Sequence, residues 1–214
     1  MDENTLIERL KQQIATGKSP SEEYDWVRQS ANPPVTMADL IEAEARLGFP
    51  LPPLLKRIYC EVGNGGFGPG YGLYKLALEH SVDDENDYAL VDTYLALHPA
   101  GNGAWSLSPR EENAQGQQPI SYYKYPPQVI EICEWGCNIY SFLDCSSPEY
   151  RVLRKDHNCS LTEHVLECPS FHQWLEAWLA GLPLFDFCFG ETWKQAPKLL
   201  FSPSDPLTTR RKPR

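Results

Sequence analysis

The sequence lacks any apolar run long enough to cross a bilayer. A transmembrane helix needs about 20 consecutive apolar residues, and the nearest stretch, Ala177 to Gly190, is 14 long and contains Gly181, Pro183 and Asp186. No secretory leader is expected from MDENTLIERLKQQ, which is acidic and then amphipathic, where a signal begins basic and runs into apolar residues. A cytosolic protein is the expectation. No C-x-x-C pair occurs, and the seven cysteines (Cys60, Cys133, Cys137, Cys145, Cys159, Cys168 and Cys188) are odd in number. Reduced core thiols follow, because a chain of this length needs no disulfide framework. G-x-S-x-G and H-E-x-x-H are missing too, and the carboxylates are scattered, so no catalytic residue is marked.

Basic residues are also in short supply. There are 19 against 29 acidic residues, for a net charge of −10. Four of the basic ones, Arg210, Arg211, Lys212 and Arg214, sit in the last seven positions, which leaves 15 basic and 29 acidic residues in the body, near −14. Such a field repels phosphate backbones and favours cationic protein partners, so neither nucleic acid nor membrane is an expected ligand.

What is present describes one globular domain. At 214 residues, with 42% hydrophobic and 12% aromatic residues, the chain is long enough for one buried core and short for two. Leu6, Leu10 and Ile14, with Ile7 beside them, form one helical stripe. Thr36 and Asp39 can box the start of a helix that buries Leu40, Ile41 and Leu47 and stops at Gly48. A second helix starts at Pro52-Pro53 and buries Leu54, Leu55, Ile58, Tyr59 and Val62. Further on, Leu90, Val91, Tyr94 and Leu97 share a helix side. YGLYKL, residues 71–76, alternates like a strand, and strands are expected at Gln128 to Glu134, Cys137 to Asp144 after a Trp135-Gly136 turn, and Tyr150 to Lys155. Ser170 caps a helix whose Phe171, Trp174, Leu175, Trp178 and Leu179 must cover strands containing Ile130, Ile132 and Tyr140. From about Thr192 the chain loses periodicity.

Few residues suggest chemistry. Six glycines fall between Gly63 and Gly72, but they follow a helix and lack the Gly-Lys-Ser/Thr ending of a phosphate loop, so a tight turn with positive φ is expected. Cys159, His164 and Cys168 stand five and four apart without a fourth ligand, so no metal or other cofactor is expected. Cys137 and Cys145, placed in strands, read as buried thiols; with Cys159 and His157, and Asp144 or Asp156 to orient it, they are the one cysteine-hydrolase alternative. The acidic cluster Asp83, Asp84, Glu85 and Asp87, and then Glu111 and Glu112 in the polar loop from His98 to Pro119, are the first candidates for partner contacts. A solvated helix start is the plain alternative for the first cluster.

The order of these signals resembles the SUKH superfamily, which contains bacterial immunity proteins and fungal regulators of cell-wall assembly and glucan synthesis. Its I-x-x-x-E-x-x-L-G helix motif stands here, offset, as Ile41 to Gly48 with the acidic position at Glu44, followed by Leu51-Pro52 and Asn64-Gly65-Gly66. The G-N/D-x-Y-x-L-D stretch matches Gly136 to Tyr140 with Leu143-Asp144, one residue longer than usual. A P-V-Y-like strand at Glu149 to Val152, from which Pro148 is displaced, precedes Asp156-His157-Asn158 and the closing Ser170-Phe171-x-x-Trp174-Leu175 helix. The resemblance covers about residues 35 to 180. It implies an α+β domain with an antiparallel or mixed sheet packed by N-terminal helices and a C-terminal amphipathic helix, without catalytic residues. The expected division is an N-terminal helical arm (1–20), the SUKH-like domain (21–191) and a disordered basic tail (192–214). The implied activity is binding to another protein. For an immunity protein the partner is a cationic toxin domain, such as a basic nuclease; an intracellular regulatory or scaffold role is the second possibility.

Overall fold

The computed structural model describes residues 1–77, 89–98, 126–158 and 163–185, with the backbone of three short strands at 187–188, 191–192 and 198–200. Helices α1 (Glu3–Ala15), α2 (Met37–Leu47) and α3 (Pro53–Glu61) come first, then α4 (Leu90–Leu97). Strands β1 (Val129–Gly136), β2 (Ile139–Asp144), β3 (Val152–Asp156) and β4 (Glu163–Cys168) follow, then α5 (Phe171–Leu179) and the short strands β5 (Phe187–Cys188), β6 (Glu191–Thr192) and β7 (Lys198–Leu200). The main sheet runs β1-β2-β3-β4-β7, antiparallel throughout, and β5 pairs with β6. This is the α+β architecture that the sequence implies.

Local chemistry sets the helix ends. Thr36 and Asp39 form the reciprocal box at the start of α2, and Gly48, at φ 78°, closes it in the left-handed region. Ser170 accepts the Gln173 N–H at 3.2 Å to start α5. The α2 face is narrower than its apolar residues suggest. Leu40, Ala43 and Leu47 are buried, whereas Ile41 is 62% exposed, because a step of one residue turns it about 100° from Leu40.

One core cluster joins all five helices to the sheet. It includes Leu6, Ile7 and Leu10 of α1, so the first helix packs into the domain, against α3 and α5. Phe171, Trp174, Leu175 and Trp178 meet Ile130 and Ile132 there, as expected. Tyr140 lies on the opposite face, beside a second cluster of Val129, Phe142 and Leu153. Alternation explains the difference: Leu143, which does reach the core, shares a face with Ser141, and Tyr140 shares one with Phe142.

β4 has no counterpart in the sequence reading, β3 begins two residues later than expected, and the strands differ from that reading in further places. The β1–β2 turn is Cys137-Asn138, both at positive φ (52° and 61°), so Trp135-Gly136 remains in the strand and Cys137 is exposed at the tip. A two-residue turn of that hand matches the strand twist, and asparagine tolerates it. Residues 71–76 do not form a full strand. They run along the free edge of β1 through Tyr71 N–H to Glu134 O (2.9 Å), Tyr74 N–H to Ile132 O (2.9 Å) and one bridge at Leu73. Finally, Lys198–Leu200, inside the segment expected to lack structure, pairs with β4 and satisfies an edge whose N–H and C=O groups need partners.

Candidate protein-interaction surface

The sequence motifs serve the fold. Glu44 Oε1 accepts the Leu51 N–H at 2.8 Å and pairs with Lys56 Nζ at 3.0 Å, tying α2 to the start of α3. Asn64 Oδ1 accepts the Leu76 N–H at 2.7 Å. A Cβ on Gly65, at φ 69°, would lie 2.5 Å from the carbonyl oxygens of Leu73 and Tyr74, so this turn admits only glycine. The same loop receives the chain before α2: Ser30 N–H donates to Gly66 O (3.1 Å), Asn32 N–H to Gly65 O (3.1 Å), and Gly68 N–H to the buried Gln29 Oε1 (2.8 Å).

That lacing brings three surface segments together, residues 17–30, 66–72 and 181–185. Between them lies a small open cleft of about 10 Å³, lined by Tyr24, Gly70, Trp135, Trp178, Leu182 and Leu184 among others. Small-molecule sites usually occupy about 300–1,000 Å³, so the cleft is undersized for one. Around it the aromatic rings meet edge-on or tilted, in an inner and an outer layer. The inner layer is Trp135 and Phe185, with centroids 6.1 Å apart. Tyr24 joins the layers, 5.4 Å from Trp135 and 6.0 Å from Tyr71, and its hydroxyl donates to Trp135 O at 2.9 Å. The outer layer is Trp26 and Tyr71, 5.6 Å apart, with Trp26 68% exposed and Leu182 also open to solvent nearby.

Beneath this surface a buried polar network fixes the sheet. Arg154 Nη2 pairs with Glu167 Oε1 at 2.9 Å and donates to Leu184 O at 2.7 Å, with its guanidinium 4.7 Å from the Trp135 ring centroid. Glu167 also accepts Trp174 Nε1–H (2.7 Å) and the Ser141 hydroxyl (2.5 Å), and Ser141 accepts Trp135 Nε1–H (2.7 Å). On the next hairpin Arg151 Nη2 pairs with the fully buried Asp144 at 2.6 Å.

The candidate chemical residues are placed as follows. Burial pushes the Cys145 thiol well up and the Cys168 thiol to about 11, which keeps both protonated at neutral pH. Burial, with Lys155 adding to it, lowers His157 to about 4. Cys137, expected inside a strand, is at the exposed turn because the hairpin closes two residues later than its glycine suggests. His164 packs edge-on to Phe142 in the second cluster and Cys168 packs against the main core, so they face opposite sides of the sheet. Cys159 lies outside the described residues, as do Asp83, Asp84, Glu85, Asp87, Glu111 and Glu112. The aromatic surface was missed by the sequence reading. Its one signal is Tyr24-Asp25-Trp26, aromatic residues without helical or strand periodicity.

A buried carboxyl makes stability depend on pH. Glu131 is 6% exposed and accepts the Tyr74 hydroxyl at 2.7 Å. Burial, with Glu134 adding repulsion and the Tyr74 bond opposing, raises it from 4.5 to about 7. The folded state therefore holds this proton more tightly than the unfolded chain. Its stabilisation is complete below about pH 4.5 and is lost as pH rises through about 7. Glu131→Gln is expected to flatten that fall and to raise the unfolding midpoint at pH 8, by about 3 kcal/mol at most. Urea titrations of both proteins at pH 5 and pH 8 measure it; parallel losses would show that Glu131 is not the group responsible.

The sequence model of the SMI1 / KNR4 family (SUKH-1) matches residues 34–177. No curated protein matches the chain. Among the described residues, no helix is long and apolar enough to cross a membrane.

Proposed function

The chain belongs to the SMI1 / KNR4 family (SUKH-1), and from that premise we propose that it is an immunity protein that neutralises a cationic toxin domain by stoichiometric binding. The family includes immunity proteins and Smi1/Knr4 regulators, and its members bind protein partners. The observation that carries the choice is the charge: 29 acidic residues against 19 basic ones suit a partner that itself binds phosphate, such as a basic nuclease, by presenting acidic surface in place of a nucleic-acid backbone. The protein acts in the cytoplasm and performs no catalysis in this role. The protonated thiol at Cys145, one of the three candidate nucleophiles, supports that reading against a cysteine hydrolase. An intracellular regulatory or scaffold role is the second reading, since the family also includes Smi1/Knr4 regulators.

Asp83, Asp84, Glu85 and Asp87, then Glu111 and Glu112, are proposed as the first electrostatic contacts. The test is to read the gene's neighbourhood and, where a basic toxin domain is encoded beside it, to co-express the two. Immunity predicts that the domain alone arrests growth and that the chain restores it. Reversing the four charges of the first cluster should slow association and flatten its salt dependence while leaving the melting temperature unchanged. Arrest that persists with the intact chain, or a gene that stands alone, contradicts immunity and favours regulation.

A further inference from the structure

The outer aromatic layer is built more firmly than an accidental surface patch. Trp26 and Tyr71 are 68% and 43% exposed, with planes at 69°. Both are held from beneath. The Tyr24 ring lies 6.1 Å from Trp26 and 6.0 Å from Tyr71, and the Tyr24 hydroxyl is itself anchored on Trp135 O. The Tyr71 N–H is bonded to the Glu134 carbonyl at 2.9 Å. Gly136 leaves room for the Tyr71 hydroxyl, since a Cβ there would stand 2.5 Å from it. Exposed aromatic rings in a fixed geometry lose little entropy on binding, and tryptophan and tyrosine dominate the energetic centres of protein interfaces.

The surroundings select the ligand. An aromatic face is electronegative and attracts cations, most of all a planar guanidinium. Asp25 adjoins Trp26 in the chain, Glu22 precedes Tyr24 in the same 3-10 turn, and both are exposed. The protein as a whole carries −10. One layer inward, the same cluster already holds a guanidinium: Arg154 Cζ is 4.7 Å from the Trp135 ring and 5.7 Å from the Phe185 ring, with its N–H groups on the Phe185 and Leu184 carbonyls.

We propose that Trp26 and Tyr71, with Asp25 and Glu22 beside them, form an anchor site for an arginine side chain of a cationic protein partner. The guanidinium lies on the Trp26 face and turns its N–H groups to the carboxylates. The anchor rests on the protein-binding reading given above, and it supplies the short-range, specific contact that long-range charge attraction alone lacks.

The test needs no identified partner. The intact, 15N-labelled chain is titrated with the peptide acetyl-Gly-Arg-Gly-Arg-Gly-amide, with the same peptide carrying citrulline for arginine, and with a proline-rich peptide. Trp26→Phe identifies the Trp26 indole resonance. The arginine peptide should move that resonance saturably, the citrulline peptide should bind roughly fivefold or more weakly, and Tyr71→Leu should weaken the arginine peptide by a similar factor. No movement, equal movement with citrulline, or movement with the proline-rich peptide alone overturns the anchor. So does a Trp26 signal that shifts with protein concentration alongside dimer formation in sedimentation, because a second copy would then be the occupant. A chain that binds the arginine peptide at Trp26 yet fails to restore growth loses the immunity reading and keeps the anchor; the reverse result removes the anchor alone.

Discussion

Replacing Glu167 with alanine is expected to destabilise the domain by about 3–5 kcal/mol, the cost of stranding a buried charge. Glu167 is 2% exposed and Arg154 is 2% exposed. The carboxylate accepts from Arg154, Trp174 and Ser141, which stand on β3, α5 and β2. Its loss removes the counter-charge of the buried Arg154 guanidinium, which keeps only the Leu184 and Phe185 carbonyls, and leaves the Trp174 indole N–H without its acceptor. Glu167→Leu combined with Arg154→Met removes both charges and should recover much of the loss. Urea unfolding at pH 7 measures all three proteins. A Glu167→Ala midpoint equal to that of the parent would mean that the network is not formed in solution.

Trp174→Ala should cost a similar amount, about 3–5 kcal/mol. The side chain is fully buried, its ring stacks on Phe171 at 6.0 Å, and its indole N–H is the bond to Glu167 at 2.7 Å. Truncation therefore opens a cavity between α5 and the sheet and also removes one donor from the network. Trp174→Phe, which keeps most of the volume and loses only the donor, should fall between the two. Because Trp174 and Glu167 share a bond, the double alanine variant should lose less than the sum of the single losses. Strict additivity would show that the two residues act independently.

The parts of this fold that were legible in the sequence are those where one periodicity or one cap governs. Thr36, Asp39 and Gly48 bound α2, Ser170 starts α5, and the Trp174 and Trp178 stripe identifies its buried face. The parts that were not legible are those where polar residues go inside. β4 reads as charged, since EHVLEC contains Glu163, His164 and Glu167, yet Glu167 is buried because Arg154, Ser141 and Trp174 are there to meet it. No local pattern announces partners brought together from different elements. The aromatic surface escaped for the same reason. Trp26, Tyr71 and Trp135 come from three distant segments, and the glycine loop that joins them reads in sequence only as a turn.

The immunity role proposed for this family member requires it to occupy its partner mole for mole. The direct measurement takes a toxin domain found beside this gene and follows its residual activity as purified chain is added at concentrations far above their dissociation constant. Stoichiometric neutralisation gives a straight loss of activity ending in a sharp break at one equivalent, with tightness that falls as salt rises. Complete inactivation at a small fraction of an equivalent would mean catalysis, and undiminished activity at several equivalents would mean no neutralisation; either result contradicts it.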